Sequence, residues 1–358
     1  MKIIINGRFL TQNVTGVQRV AHEIVKELDK IAKEKNLEII ILAPKNIIFD
    51  NLYKNIKVKK VGVLKGHLWE QIELPIYSFL EKGVLLDLCN TAPIINTGIV
   101  DIHDISFKVN PQFFSKKFSL YYKILIWILV RTSRKILTVS EFSKNEIIKY
   151  YNVNFKKIEV LYNSWEHILS FKEDFNILKK FNLKNKSFYL GVSSINPNKN
   201  FKYIIELAKL YPEKQFVIAG KKNEKVFGNL GINEMKNLVW CGYVSDEELK
   251  ALYMSCKGFI YPSFYEGFGL PPLEAMGCGC EEIYVSNTSC LPEIFEDSVI
   301  YINPNKVDKI FDKEVKINKE KIKRVLEKYS WEKSSLEIIK VLGEGNLIYE
   351  KKNADKLY

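Results

Sequence analysis

Short apolar runs alternate with longer amphipathic stretches along this chain, and the alternation occurs in two separate series. The first opens with KIIIN and an amphipathic helix over about residues 16–35, then passes through EIIILA and KVKKV. It continues with VLLDL, a run at 98–102, a helical stretch near 114–132, KILTV at 135–139 and KIEVLYN at 157–163. The periodicity then lapses across a charged stretch to about residue 186, which reads as an interdomain linker. A second series follows: SFYLGV, a helix near 200–210, QFVIAG, LVWCG, a helix near 246–256 and GFIYP. Strands that alternate with helices imply parallel sheets covered on both faces, so two series predict two doubly wound α/β domains. The expected domains are residues 1–170 and 171–335, with a helix over about 336–358 packing back on the first. Ligands of such sheets bind outside the carboxyl ends of the strands. With two sheets facing each other, the crevice between them is the expected site.

A chain of 358 residues with 47% hydrophobic content is long enough for two cores. Its longest unbroken apolar stretch in the middle is ILIWILV at 124–130, far short of the roughly 20 residues that span a bilayer. The start, MKIIING, runs directly into a strand pattern without the features of a secretory signal, so the expected location is the cytosol. Six cysteines without CxxC spacing argue against a zinc site or a disulfide framework. The net charge of +12 is uneven: residues 1–170 hold 25 basic and 16 acidic side chains, the remainder 29 and 26. A cationic first half suits an anionic partner such as a lipid pyrophosphate or a membrane surface. The stretch KKFSLYYKILIWILVRTSRK at 116–135, basic at its ends and apolar between, fits either interfacial membrane contact or a buried helix with solvated ends. Nucleic acid has only net charge in its favour and is not an expected partner.

The segment that carries chemistry is YPSFYEGFGLPPLEAMGCG at 261–279, where a strand ends in a Gly-containing turn that opens a helix near Pro271. The backbone N–H groups of Phe268, Gly269 and Leu270, with the positive end of the helix dipole, make a site for a diphosphate. Glu266 before the turn and Glu274 in the helix stand eight positions apart, so that both can accept hydroxyl hydrogen bonds from one ligand.

This segment resembles the paired-glutamate motif of the family-4 retaining glycosyltransferases, the group 1 glycosyl transferases of the GT-B fold. Further patches in the family's order are TGVQRVAHEIVKELD, HDISF, TVSEFSKNEI, INPNKNF, GYVSDEELKALY and YSWEKS, spread over nearly the whole chain. The resemblance implies two Rossmann-like domains facing across a cleft. It also implies a nucleotide-diphosphate sugar as donor and a glycan or lipid-linked acceptor, in surface polysaccharide synthesis at the inner membrane face. By the same resemblance, Glu274 binds the donor ribose, Glu266 the transferred sugar, and Lys199 neutralises the departing diphosphate. Gly16 and Val17 correspond to the N-terminal loop beside the phosphates, and His103 to a histidine on the donor sugar. Breaking a glycosyl–phosphate bond develops negative charge on the diphosphate, so catalysis is mainly electrostatic and positional. No Asp-x-Asp motif is present, and the expected reaction needs neither metal nor a cofactor beyond the donor.

The chain departs from the family at two places. Ser193 stands six residues before Lys199, where many members carry arginine, with Arg8 and Arg19 as the candidates to compensate. In GCEEIYVSN at 279–287, Glu281 and Glu282 replace a Gly-x-Pro turn. Carboxylates aimed at the diphosphate would weaken donor binding, and a bulge turning them to solvent would spare it. These departures leave a non-catalytic sugar-nucleotide-binding subunit as an alternative. A sugar-nucleotide 2-epimerase of similar architecture is another, separable by epimer formation without acceptor.

Overall fold

The structure, a computed structural model, describes residues 2–193, 196–220, 235–312 and 318–354, the last eleven of these by backbone alone. Ile195 of the INPNKNF patch and residues 355–358 of the expected terminal helix lie outside the described residues. The chain divides into two compact units: Met1–Asn163 with Trp331–Tyr358, and Ser164–Ser330.

In the first unit the strands are β1 (Lys2–Asn6), β2 (Glu38–Ala43), β3 (Lys57–Lys60), β4 (Val84–Asp87), β5 (Ile99–Asp101), β6 (Lys135–Thr138) and β7 (Ile158–Val160). They form one sheet in the order β3-β2-β1-β4-β5-β6-β7, with every neighbouring pair parallel. β1 is apolar without alternation because helices cover both faces of a parallel sheet, and Ile3, Ile4 and Ile5 are fully buried. The helices are α1 (Gly16–Glu34), α2 (Leu74–Leu80), α3 (Lys116–Thr132) and α4 (Glu141–Tyr151). In α1, Val20, Ile24, Leu28 and Ile31 recur at helical spacing and make the buried stripe. Ser115 and Ser140 cap α3 and α4 with side-chain bonds to the third helical N–H, and Asn152 in the left-handed region ends α4.

The second unit contains β8 (Phe188–Val192), β9 (Gln215–Ala219), β10 (Leu238–Gly242), β11 (Gly258–Tyr261), β12 (Glu282–Ser286) and β13 (Ile300–Ile302). Its sheet order is β10-β9-β8-β11-β12-β13, all parallel, the doubly wound order with a reversal between β8 and β11. Helices α5 (Phe201–Leu210), α6 (Asp246–Ser255), α7 (Leu270–Gly277), α8 (Leu291–Phe295) and α9 (Lys319–Lys328) complete it. A capping box between Ser245 and Glu248 starts α6. Helix α10 (Trp331–Ala354) then belongs to the first unit, where it packs against α1 and Ser335 donates to the Ile24 carbonyl at 3.4 Å.

Residues 164–186, expected as a linker, are part of the second unit. They form a 3-10 turn at Glu166–Ser170 and a short helix at Asn176–Lys180, and bury His167, Ile168 and Ile177. The periodicity lapses because these elements are too short for a helical repeat. The segment is fixed instead by single anchors: the Trp165 ring lies where a side chain on Gly277 would be, 2.0 Å from the ideal Cβ position.

Candidate active site

The second sheet reverses its strand order between β8 and β11, and the loops leaving the carboxyl ends of those two strands carry Lys199 and Glu266. A crevice outside such a reversal is where doubly wound sheets place ligands. The Lys199 ammonium donates to both carboxylate oxygens of Glu266, at 2.7 and 2.8 Å, and lies 5.9 Å from the Tyr261 ring centre. Two asparagines tie the loops together. Asn198 Nδ2 donates to the Tyr265 carbonyl at 2.7 Å, and Asn200 Nδ2 donates to the carbonyls of Pro262 and Pro304. Asn200 adopts φ +55°, a left-handed conformation that asparagine tolerates, and this turn starts α5. The Glu266 backbone N–H is held by Ser289 Oγ at 3.0 Å. Burial, with the nearby Glu266 carboxylate, pushes the Tyr261 hydroxyl well above its usual pKa, so it stays protonated as a neutral wall of the site.

Gly269 caps α7 at φ +105°, a backbone that demands glycine, and an added Cβ would also lie 2.8 Å from Leu291 Cδ2, which would have to shift. Pro271 and Pro272 remove two of the helix's first donors. The Leu270 N–H is what the first turn retains. Phe268 and Leu270 bury their side chains, the former against Tyr329 with ring centres 5.3 Å apart, so both offer only backbone to a ligand. Glu274 follows inside α7, 8% exposed, and each of its oxygens has an anchor. His167 Nε2 donates to Oε1 at 3.0 Å and the Tyr253 hydroxyl donates to Oε2 at 2.8 Å. Burial and then the carboxylate raise the Tyr253 pKa well above normal, which keeps this hydroxyl a donor. A carboxylate only accepts, so the group presents acceptor chemistry to a ligand hydroxyl.

Ser193 sits at the carboxyl end of β8, its N–H donating to the Ala219 carbonyl at 3.2 Å. The structure thus gathers Ser193, Lys199, Glu266, Phe268, Gly269, Leu270 and Glu274 on the carboxyl side of one sheet. Glu281 and Glu282 fall elsewhere. β12 runs parallel to β11 with Glu282 beside Gly258, and Val285 beside Tyr261. The pair is therefore at the amino end of the sheet, about 10 Å of strand away from the loop that carries Glu266. Glu281 meets Lys319 at 2.8 Å, and Glu282 accepts from the Tyr284 hydroxyl at 3.4 Å. The departure from the family turn therefore lies at the opposite end of the sheet from Lys199, Glu266 and Gly269.

The remaining sequence-derived residues lie in the first unit. Gly16 and Val17 are the first residues of α1, whose N-cap Thr15 makes no side-chain cap. His103 follows β5, buried, its Nε2 facing Asp101 Oδ2 at 3.1 Å and the Leu88 carbonyl at 3.2 Å. Burial lowers its pKa, but the charge and hydrogen bond of Asp101, with Asp104, outweigh burial and raise it overall. The partner is thus chiefly Asp101 rather than the adjacent Asp104. Arg8 is committed within its own unit, donating to Glu70 at 2.9 Å and to Thr91 at 2.8 Å, and Arg19 lies 3.7 Å from Glu23. Among the described residues no cluster of His, Cys, Asp and Glu is placed to hold a metal ion.

Sequence reasoning missed His167, Tyr253, Asn198 and Asn200. His167 stands 107 positions from Glu274, inside the segment read as a linker, and no spacing rule connects the two. The asparagines were visible in the NPNKNF patch, and only their side-chain bonds reveal them as the clasp between loops.

Residues 173–333 match the family model described as glycosyl transferases group 1. The chain is 32% identical over 228 residues to O-antigen chain mannosyltransferase B of Escherichia coli, covering 60% of each protein. It is 30% identical over 237 residues to O-antigen chain mannosyltransferase RfbU of Salmonella typhimurium, covering 64% of this chain and 63% of the relative. The matches thus span somewhat over half the length of those relatives. Among solved structures, sucrose-phosphate synthase from Thermosynechococcus elongatus superposes with a TM-score of 0.71 at 12% identity over 99% of both chains. That likeness establishes the two-unit α/β fold of the GT-B class.

Proposed function

We propose, from the premise that residues 173–333 are a group 1 glycosyl transferase domain in a GT-B chain, that this protein is a retaining glycosyltransferase of surface polysaccharide synthesis. It moves a hexose from a nucleotide-diphosphate donor to a glycan or lipid-linked acceptor, and the named relatives favour mannose. The observation that carries the reading is the bidentate Lys199–Glu266 pair beside the Gly269-capped end of α7, with Glu274 anchored farther along that helix.

The chemistry assigned to each group follows from its charge and position. Lys199 and the Gly269 and Leu270 amides stabilise the negative charge that grows on the departing diphosphate. Glu266 accepts hydroxyls of the transferred sugar, which the pairing with Lys199 holds in register with the leaving group. Glu274 accepts the ribose hydroxyls. The departing phosphate itself helps to deprotonate the acceptor on the same face, so configuration is retained and no metal is needed. Gly16, Val17 and His103 are proposed as further donor contacts, and the first unit as the side that takes the acceptor. Such an acceptor places the enzyme at the inner face of the membrane as a peripheral protein.

The test is incubation with GDP-mannose and UDP-glucose in chelator, following release of nucleoside diphosphate with and without a cell-extract acceptor. Transfer to a product with the donor's anomeric configuration, seen by NMR, is the expected result. Donor binding with neither transfer nor slow hydrolysis would overturn the catalytic reading in favour of a binding subunit.

A further inference from the structure

Helix α3 carries large apolar side chains on the side it buries and also on the side it leaves exposed. Ser119, Leu125, Ile126, Leu129 and Val130 face the core, while Leu120, Tyr121, Ile124 and Trp127 follow one another at helical spacing on the outer side, each at least 42% exposed. A soluble helix normally carries polar residues there. The outer Trp127 is 51% exposed.

This stripe continues on its neighbours. Ahead of and along α2, Leu68, Ile72, Ile76 and Phe79 form a second exposed apolar stripe, with Phe79 at 75%. The loop at 92–97 joins the two. Gln71 donates to the Ala92 carbonyl at 2.9 Å and accepts from the Ile94 N–H at 3.1 Å, and Asn96 donates to Ser78 at 3.0 Å. On its other side Thr97 meets Thr132 of α3 at 3.2 Å, and the loop exposes Ile94 and Ile95. His67 and Tyr121 close the far end, their ring centres 5.7 Å apart. Two helices and a loop therefore present one continuous apolar face within the first unit. A contiguous face of this kind marks an interaction site.

The charges bordering it select the partner. Between Asp104 and Glu141 the chain has seven lysines and arginines and no acidic residue. Lys116, Lys117 and Lys123 flank the stripe, and the Arg131 guanidinium covers the Trp127 ring at 4.2 Å. A two-fold contact with a second copy would set these cations against each other. An anionic bilayer satisfies both features, taking the apolar side chains below its headgroups and the cations at their level.

We infer that α3, α2 and the loop at 92–97 form a platform that seats this protein on an anionic lipid surface. The inference deepens the proposed action on a membrane-borne acceptor and rests on that reading for its purpose, but its test does not use sugar transfer. Full-length protein is co-sedimented with vesicles of phosphatidylcholine with and without phosphatidylglycerol, and tryptophan emission is recorded. Wild type should bind the phosphatidylglycerol vesicles, weaken with salt, and shift its emission to the blue. Trp127→Phe should remove most of the blue shift while still binding. Ile124→Ser with Trp127→Ser should weaken partitioning by roughly 10- to 100-fold, the loss of two buried large side chains. Lys116→Glu with Lys117→Glu should weaken it about tenfold or more, with nucleotide binding unchanged as the check on folding. No vesicle binding, equal binding to both compositions, or a wild-type dimer that the serine variant dissociates would overturn the inference. Failed transfer from an enzyme that binds vesicles would count against the proposed activity alone.

Discussion

Replacing Glu274 by glutamine separates a ligand role from a structural one. The carboxylate accepts from His167 at 3.0 Å and from Tyr253 at 2.8 Å, and is 8% exposed. Glutamine fits the same space, but its amide has one acceptor and one donor end. With His167 keeping its proton on Nε2, the oxygen faces His167, because the amide nitrogen opposite a ring N–H would set two donors together. The nitrogen then faces Tyr253, whose hydroxyl rotates to accept. Both anchors survive as neutral hydrogen bonds, so stability should fall by only about 1–2 kcal/mol, the difference between charged and neutral acceptors summed over two bonds. The ligand side loses more. A ribose hydroxyl aimed at the former Oε2 meets a donor, and the other meets an uncharged oxygen. The cost is about 1.5–3 kcal/mol, or roughly a ten- to hundredfold rise in Kd. Calorimetric titration of UDP, GDP and dTDP in chelator, alongside thermal denaturation, reads both quantities. The expected outcome is one preferred nucleotide for wild type, weakened at least tenfold in the variant, with a small drop in melting temperature. A variant that binds as wild type does would refute the ribose assignment, leaving Glu274 as a structural partner of His167 and Tyr253. Tyr253→Phe, which leaves the carboxylate intact, should weaken nucleotide binding by only a fewfold.

Lys199→Met leaves the Glu266 carboxylate, 7% exposed, without its cation; stability should fall by about 2–3 kcal/mol, and donor turnover by about 100-fold or more, which denaturant titration and single-turnover hydrolysis can measure. Gly269→Ala forces a side chain into φ +105° and against Leu291, and should cost about 1–3 kcal/mol in denaturant unfolding together with weaker nucleotide binding. The two buried histidines of the first unit should act oppositely with pH. His22 lies between the Phe9 and Phe49 rings with its Nε2 unpartnered among the described residues, and burial, then Lys26 and Arg19, lower its pKa to about 4. It stays neutral where the unfolded chain would protonate, so stability is full above pH about 6.5 and falls by up to about 3 kcal/mol by pH 4; His22→Phe should flatten that limb. The pKa of His103 is raised, so its contribution is complete below about pH 6.5 and is lost as pH rises through the folded value; His103→Gln should flatten the alkaline limb instead.

Much of this protein was determined by local pattern. The alternation of apolar strands with amphipathic helices specified two parallel sheets, because a buried parallel strand such as KIIIN and an amphipathic helix such as α1 each have their own period. The strand–turn–helix with its glycine located the α7 amide end, since that geometry depends on neighbours in sequence. Tertiary structure decided what depends on distance in space. Only the switch between β8 and β11 could bring Lys199 to Glu266, 67 positions away. Only packing could turn the aperiodic stretch at 164–186 from an expected linker into the anchor of Glu274, through His167. The parallel register of β12 with β11 put Glu281 and Glu282 at the opposite end of the sheet from Lys199 and Glu266, an outcome no local rule contains. The helix at 116–132 was ambiguous for the same reason: apolar side chains on both of its sides say nothing about which side a core covers. The fold covered one side and left the other joined to α2 in a single face, because burial is a property of neighbours and not of the segment.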